Sequence, residues 1–177
     1  MAPIPAPPAP DSPDSTALRL RAPANRVSRR AIRYWATRAA AGWLVPVGSQ
    51  VLSIAISQAA LGPRLIAVIA TAVLAGAHCT VMPQWRYRVH RWETTPTAVY
   101  TQSGWFDQER RIAPISRIQT VDSERGPFEQ VFGLANVTVT TASAAGPLTV
   151  KGLDRDVAAA LVDDLTRVTE ADRSDAT

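Results

Sequence analysis

The side chains in this sequence that could do chemistry are few. Asp107, Glu109, Asp122, Glu124 and Glu129 are carboxylates of the kind acid–base catalysis uses, His78 and His90 are the two imidazoles, and Cys79 is the one thiol. A nucleophile needs a neighbouring base, and a structural zinc needs several Cys or His ligands. One cysteine excludes an intrachain disulfide and any site built on several thiolates. Asp122 and Glu124 stand two residues apart and so share a strand face, as any solvated sheet face also arranges. No glycine-rich phosphate loop accompanies them. The expectation is therefore no catalytic residue, no metal, no cofactor and no small-molecule substrate. Arg110, Arg111, Arg117 and Arg125 could line a headgroup pocket, but acids are interleaved with them, and the run reads as a solvated face. His78 is expected at headgroup level or bonded to a serine of a partner helix, and Cys79 as a small packing residue or an acylation site.

The 177 residues carry 19 Lys+Arg against 15 Asp+Glu, and the formal +4 hides an asymmetry. Residues 1–38 hold seven arginines and two aspartates, 39–81 hold only Arg64, and 82–177 hold eleven bases against thirteen acids. Nucleic-acid binders concentrate positive charge on their folded part, because phosphate neutralisation supplies most of their affinity. Here that part is slightly acidic, which sets nucleic acid aside as a partner.

The segments that position these residues begin with a Pro/Ala-rich tail, residues 1–18, too poor in large apolar groups to fold and without the basic-then-apolar layout of a signal peptide. A basic juxtamembrane segment follows at 19–38, then two charge-poor apolar stretches at 39–61 and 65–82. At ~1.5 Å per helical residue and a hydrocarbon core of ~30 Å, the first can span a bilayer and the second is at the short limit. "GPR" at 62–64 is expected to turn the chain back in a tight hairpin. Arginines crowd both outer ends, so the positive-inside rule puts both termini in the cytoplasm. Tyr34, Trp35, Trp43, Trp85 and Tyr87 fit an interfacial aromatic belt. Ser49, Ser53 and Ser57, with Ala67, Thr71 and Ala75, would let the helices approach closely. "NRVSRRAIRYWATRAA" can be drawn as a surface helix, with Arg26, Arg29, Arg30, Arg33, Trp35 and Trp85 as membrane-surface contacts; a purely topogenic charge cluster is the plainer reading.

Beyond Met82 the period changes to that of strands. "WRYRVHRW" is a first candidate, followed by "AVYTQSGW", "DQERRIA", "RIQTVDSE", "ANVTVTTA" and "PLTVKG". In "DRDVAAALVDDLTRVTEA", Val157, Leu161, Leu165 and Val168 mark one helical face and Asp154 is a plausible N-cap. Residues 84–170 thus read as a small α+β domain, its helix covering an open end of a curved antiparallel sheet. Residues 171–177 read as a disordered tail.

Two apolar stretches followed by "RRIAPISRIQTVDSERGPFEQVFGLANVTVTTAS" and "GLDRDVAAAL" resemble the bacterial membrane proteins that carry a pleckstrin-homology-like (PH-like) domain. The resemblance covers roughly residues 20–168, and its most specific part runs from Ile112 to Ala142. Within that run Arg117, Gln119, Gly126, Pro127, Glu129, Phe132, Gly133 and Leu134 form the family motif, while Pro96 departs from the pattern in the early sheet. The resemblance implies an α-helical transmembrane hairpin followed by a PH-like domain, a curved antiparallel sheet or partly open barrel capped by a C-terminal helix. It implies a multi-pass protein of the plasma (inner) membrane with its domain cytoplasmic. The motif itself reads as packing: Pro127 starts a single helical turn, Phe128 and Phe132 share one side of it, and Gly133 ends it.

Function follows as an expectation from these parts. A tethered domain meets its partners in two dimensions and needs no affinity to find the membrane. Besides the lipid bilayer, its expected partner is a second copy or another membrane protein of the same family, met as an interaction or scaffold module. Recognition of lipid headgroups by the domain is the alternative, opposed by the domain's acidic balance. An enzyme is disfavoured for want of a constellation.

Overall fold

The computed structural model describes residues 22–57, 60–104, 106–143 and 146–175, with side chains as far as Ala171. The expected tail 1–18, together with Arg19 and Arg21, lies outside the described residues. Helices α1 (Arg30–Ile56) and α2 (Leu61–Val89) form a hairpin. Their side-chain contacts run in opposite order along the two sequences, which makes them antiparallel. Trp43 Nε1 donates to His78 Nδ1 at 3.0 Å, and Gln50 Nε2 donates to Thr71 Oγ1 at 2.8 Å. Near the turn, Arg64 donates to the Ser53 carbonyl at 2.9 Å and to Ser57 Oγ at 2.7 Å. A cation at this end of α1 satisfies carbonyls that the helix leaves open.

Leu44, Val45, Leu52, Ile66, Ile69 and Val73 point outward and stay exposed. Both helices are long and apolar enough to cross a membrane, and their most apolar windows bury nothing within the protein. In water such a surface would be an aggregation liability; against lipid it needs no cover.

Three boundaries depart from the sequence reading. The turn lies between Ile56 and Leu61, and "GPR" opens α2, where a proline in the first turn has no hydrogen bond to lose. "WRYRVHRW" is not a strand, because α2 continues to Val89 and only Arg91–Thr94 is extended. Its alternating aromatic and arginine residues imitate a strand while lying on the last turns of a helix. The expected disordered tail is helical as far as Asp175, since nothing in "EADRSD" breaks a helix.

Among the described residues the domain has seven antiparallel strands in two sheets, four in the order β1-β2-β3-β4 and three in the order β5-β6-β7. β1 (Asn25–Arg26) precedes the hairpin, whereas β2 (Arg91–Thr94), β3 (Ala98–Gly104) and β4 (Gln108–Pro114) follow it. Asn25 pairs with Trp92 and Arg26 with Arg91, so the sheet closes across the base of the hairpin. Pro96 sits in the turn between β2 and β3, where no ladder hydrogen bond is needed. A single 3-10 turn (Ile115–Arg117) leads into β5 (Ile118–Glu124). After the short α3 (Pro127–Phe132) come β6 (Leu134–Thr141), β7 (Leu148–Asp154) and α4 (Arg155–Asp175).

Val99, Ile118, Val137, Val139, Leu148 and Val150 meet between the sheets, and Ala158, Leu161 and Leu165 of α4 close the core. β6 shows why this folds: Val137 and Val139 point inward while Thr138 and Thr140 alternate with them. The buried face of α4 runs through Ala158, Leu161 and Leu165 to the partly buried Val168. Val157, expected on that face, is 42% exposed, because it lies a third of a turn away from Ala158.

Candidate functional site

The carboxylates weighed in the sequence lie apart from one another or on the surface. Asp107, Glu109, Asp122 and Glu124 are all exposed. Glu109 pairs with its neighbour Arg111 at 2.6 Å, and Asp122 accepts from Thr120 Oγ1 at 3.2 Å. Among the described residues no group of three or more His, Cys, Asp or Glu could hold a metal. Glu129 behaves differently and leads to the place where the domain meets the hairpin.

That junction is made by the family motif on one side and, on the other, by the first turns of α1 with the residues just before it. Tyr34 donates its hydroxyl to Glu129 Oε1 at 2.6 Å and accepts from Arg38 at 3.0 Å. The Tyr34 hydrogen bond holds the Glu129 carboxyl below the usual carboxylate range. Phe132 meets the Tyr34 ring edge-on at 5.9 Å between centroids. Leu134 is fully buried with Val27, Ala31, Tyr34 and Trp35.

Two glycines make this approach possible. Gly133 adopts φ +67° to end α3, and its carbonyl accepts from the Arg155 amide at 3.1 Å. A side chain there would be strained and would meet Arg30 Nη1 at 2.9 Å. Gly152, at φ +76°, would push a Cβ to 3.1 Å from Ala31. Its carbonyl accepts from the Ser28 amide at 2.9 Å, so β7 and the start of α1 are in backbone contact. Ser28 Oγ donates to Asp154 at 2.8 Å, and Arg30 pairs with the same carboxylate at 3.6 Å.

The sequence-predicted residues divide accordingly. Glu129, Phe132, Gly133 and Leu134 come together at the junction. Gly126 and Pro127 start α3, and the Gly126 carbonyl accepts from the Gln130 amide at 3.0 Å. Arg117 and Gln119 are exposed, away from the junction. Phe128, expected to pack with Phe132, is 60% exposed. Trp35 was expected at the lipid interface and is instead only 4% exposed, roofed by β6 and β7. The surface-helix drawing fails for the same reason: Asn25–Arg26 is a strand, and the side of α1 that would have met lipid is buried in the domain. Arg26 stacks over Tyr87 at 5.8 Å, Arg30 reaches Asp154, and Arg29 and Arg33 are exposed. Trp85 is 48% exposed and faces outward on α2. His78 accepts from Trp43 of the partner helix through Nδ1.

Two junction residues escaped sequence reasoning. Arg86 lays its guanidinium 4.6 Å from the centroid of the Trp35 ring. His90 ends α2, is 3% exposed, lies 5.1 Å from the Trp35 ring and faces the Arg86 carbonyl through Nδ1 at 2.8 Å. A carbonyl only accepts, so Nδ1 carries the proton of a neutral ring. Burial, reinforced by the charge of Arg86, pushes His90 down to about 4. Trp35 and Arg86 also line a partly open cavity of about 460 Å³ between the two helices, Glu129 and β6–β7.

A hairpin apolar enough for a membrane, packed through Glu129, Phe132 and Leu134 against a two-sheet domain with a C-terminal helix, defines a membrane-anchored PH-like protein. The comparison with known families agrees: residues 44–169 match the family described as "Bacterial PH domain", and this chain belongs to that family. It is also similar to the UPF0699 transmembrane protein YdbS of Bacillus subtilis (strain 168), with 32% identity over 88 residues. That alignment spans 50% of this chain and 54% of the relative, about half of each. No solved structure matches the chain.

Proposed function

We propose that this chain is an interaction module: a PH-like domain fixed at the cytoplasmic face of the plasma membrane, which assembles with a second copy or with another membrane protein of the same family. The observation that carries this reading is the outer edge of β5. It pairs with no strand among the described residues, and five of its seven residues are exposed. An open edge offers backbone groups in register for another strand, with side chains supplying selectivity. The clamp between β1, β2 and the base of the hairpin gives that edge a fixed attitude to the bilayer, which favours partners held in the same plane. The cytoplasmic placement rests on the arginines at the outer ends of both helices.

A photo-cross-linking residue at Gln119 or Ser123, in cells expressing the full chain, tests the proposal. The expected product is an adduct with a second copy or with a membrane protein of the same family, absent when the probe sits at Asp163 on α4. Monomer alone, or equal adducts from all three positions, would refute assembly through this edge.

A further inference from the structure

The cavity at the junction suggests a ligand of its own. Three cations from three separate elements line it: Arg38 of α1, Arg86 of α2 and Lys151 of β7. The one carboxylate in its wall, Glu129, is already engaged by Tyr34, which Arg38 also contacts. Arg86 and Lys151 form no ion pair among the described residues, and Arg86 is partly buried with the Trp35 ring as its neighbour. Arg86 is thus a partly desolvated cation without a counter-charge, which an anion would stabilise, and the exposed Arg38 and Lys151 add positive charge at the cavity's rim.

The depth of the cavity bears on what that anion is. Arg38 is the last charge before the apolar stretch of α1, and Ala39 and Met82 in the cavity wall lie at the matching ends of the two apolar stretches. The site therefore straddles the level where hydrocarbon gives way to headgroups. Its volume falls within the range of small-ligand sites.

We propose that this cavity binds one phosphate-bearing anionic lipid, the phosphate held by Arg38, Arg86 and Lys151 and the glycerol end resting on Ala39 and Met82. The site faces the hairpin, and its occupancy is independent of assembly through β5.

Native mass spectrometry of the full chain in detergent tests this, with dioleoylphosphatidylglycerol, dioleoylphosphatidylcholine and inorganic phosphate as separate probes. One phosphatidylglycerol per chain should be retained in preference to phosphatidylcholine. Lys151→Gln and Arg86→Gln should each lower that retention about tenfold, the scale of one charge-assisted contact. Arg88→Gln removes a charge from the same end of α2 without touching the cavity and should leave retention unchanged. Lys151 is exposed, so its variant decides the matter even if Arg86→Gln folds poorly. Equal loss in Arg88→Gln, no loss in Lys151→Gln, or displacement of the lipid by inorganic phosphate would each overturn the proposal.

Discussion

β6 serves two cores by different means. At its start, Leu134 is buried among Tyr34, Trp35 and Ala31, beneath two glycines with left-handed backbones and beside a chain of hydrogen bonds from Arg38 through Tyr34 to Glu129. Further along, Val137 and Val139 lie among Val99, Leu148, Val150 and Leu165. The far core is aliphatic and asks only for volume, which is why it tolerates exchange among hydrophobic residues. The junction asks for particular shapes and donors. Damage to it should free the domain from the hairpin before the domain itself unfolds.

The largest effect that can break this contrast is at Trp35. Trp35→Ala should cost about 3–5 kcal/mol of unfolding free energy in detergent micelles, as truncation of a buried aromatic does. Leu165→Ala should cost a comparable amount, about 2–5 kcal/mol. Hydrogen exchange separates the two. The Ser28 amide, bonded to Gly152, should lose protection in Trp35→Ala and keep it in Leu165→Ala. Loss of protection in both would mean one core, not two.

Next in size is a dependence on pH that the far core lacks. His90 is held at about 4 in the folded chain against an ordinary value near 6.5, so between these values the unfolded chain binds more protons. Stability should therefore fall as pH drops from 6.5 towards 4, by up to about 3 kcal/mol. Glu129 adds to the loss only at lower pH, because its folded carboxyl is held below the ordinary value. His90→Phe should flatten the upper part of that window in denaturant titrations; an unchanged slope would remove His90 from the account.

The smallest effect compares a buried aromatic of the junction with an exposed one on α3. Tyr34→Phe removes two hydrogen bonds, the one to Glu129 and the one from Arg38, and should cost about 1–2 kcal/mol. Phe128→Ser should change stability by no more than about 0.5 kcal/mol, since the ring is mostly exposed. Thermal unfolding of the two variants side by side checks the order.

Much of the fold was legible because it is written in local patterns. The charge-free runs marked the hairpin, and the Val/Thr alternation of β6 marked the central strand of its sheet. β1 was not legible, since a two-residue strand has no period to detect. Trp35 misled for a physical reason: an aromatic beside arginines at the start of an apolar run looks the same whether lipid or a sheet covers it. Only Gly152, about 120 residues away in sequence, lets β7 come close enough to decide. The cavity was equally hidden. Arg38, Arg86 and Lys151 belong to three segments that nothing local connects, and the acidic sum of the domain concealed a positive site where it meets the hairpin.

The pairing of Asn25 with Trp92 has a consequence for biogenesis. The ribosome releases β1 before either membrane helix and β2 after both, so the two strands can meet only when the hairpin has entered and returned. A chain left with a single helix across the bilayer would strand them in different compartments, with Trp35, Leu134 and the edge of β2 uncovered. Completion of the domain is thus a built-in check that insertion has finished, and incompletely inserted chains would present the exposed apolar surface that quality-control proteases recognise.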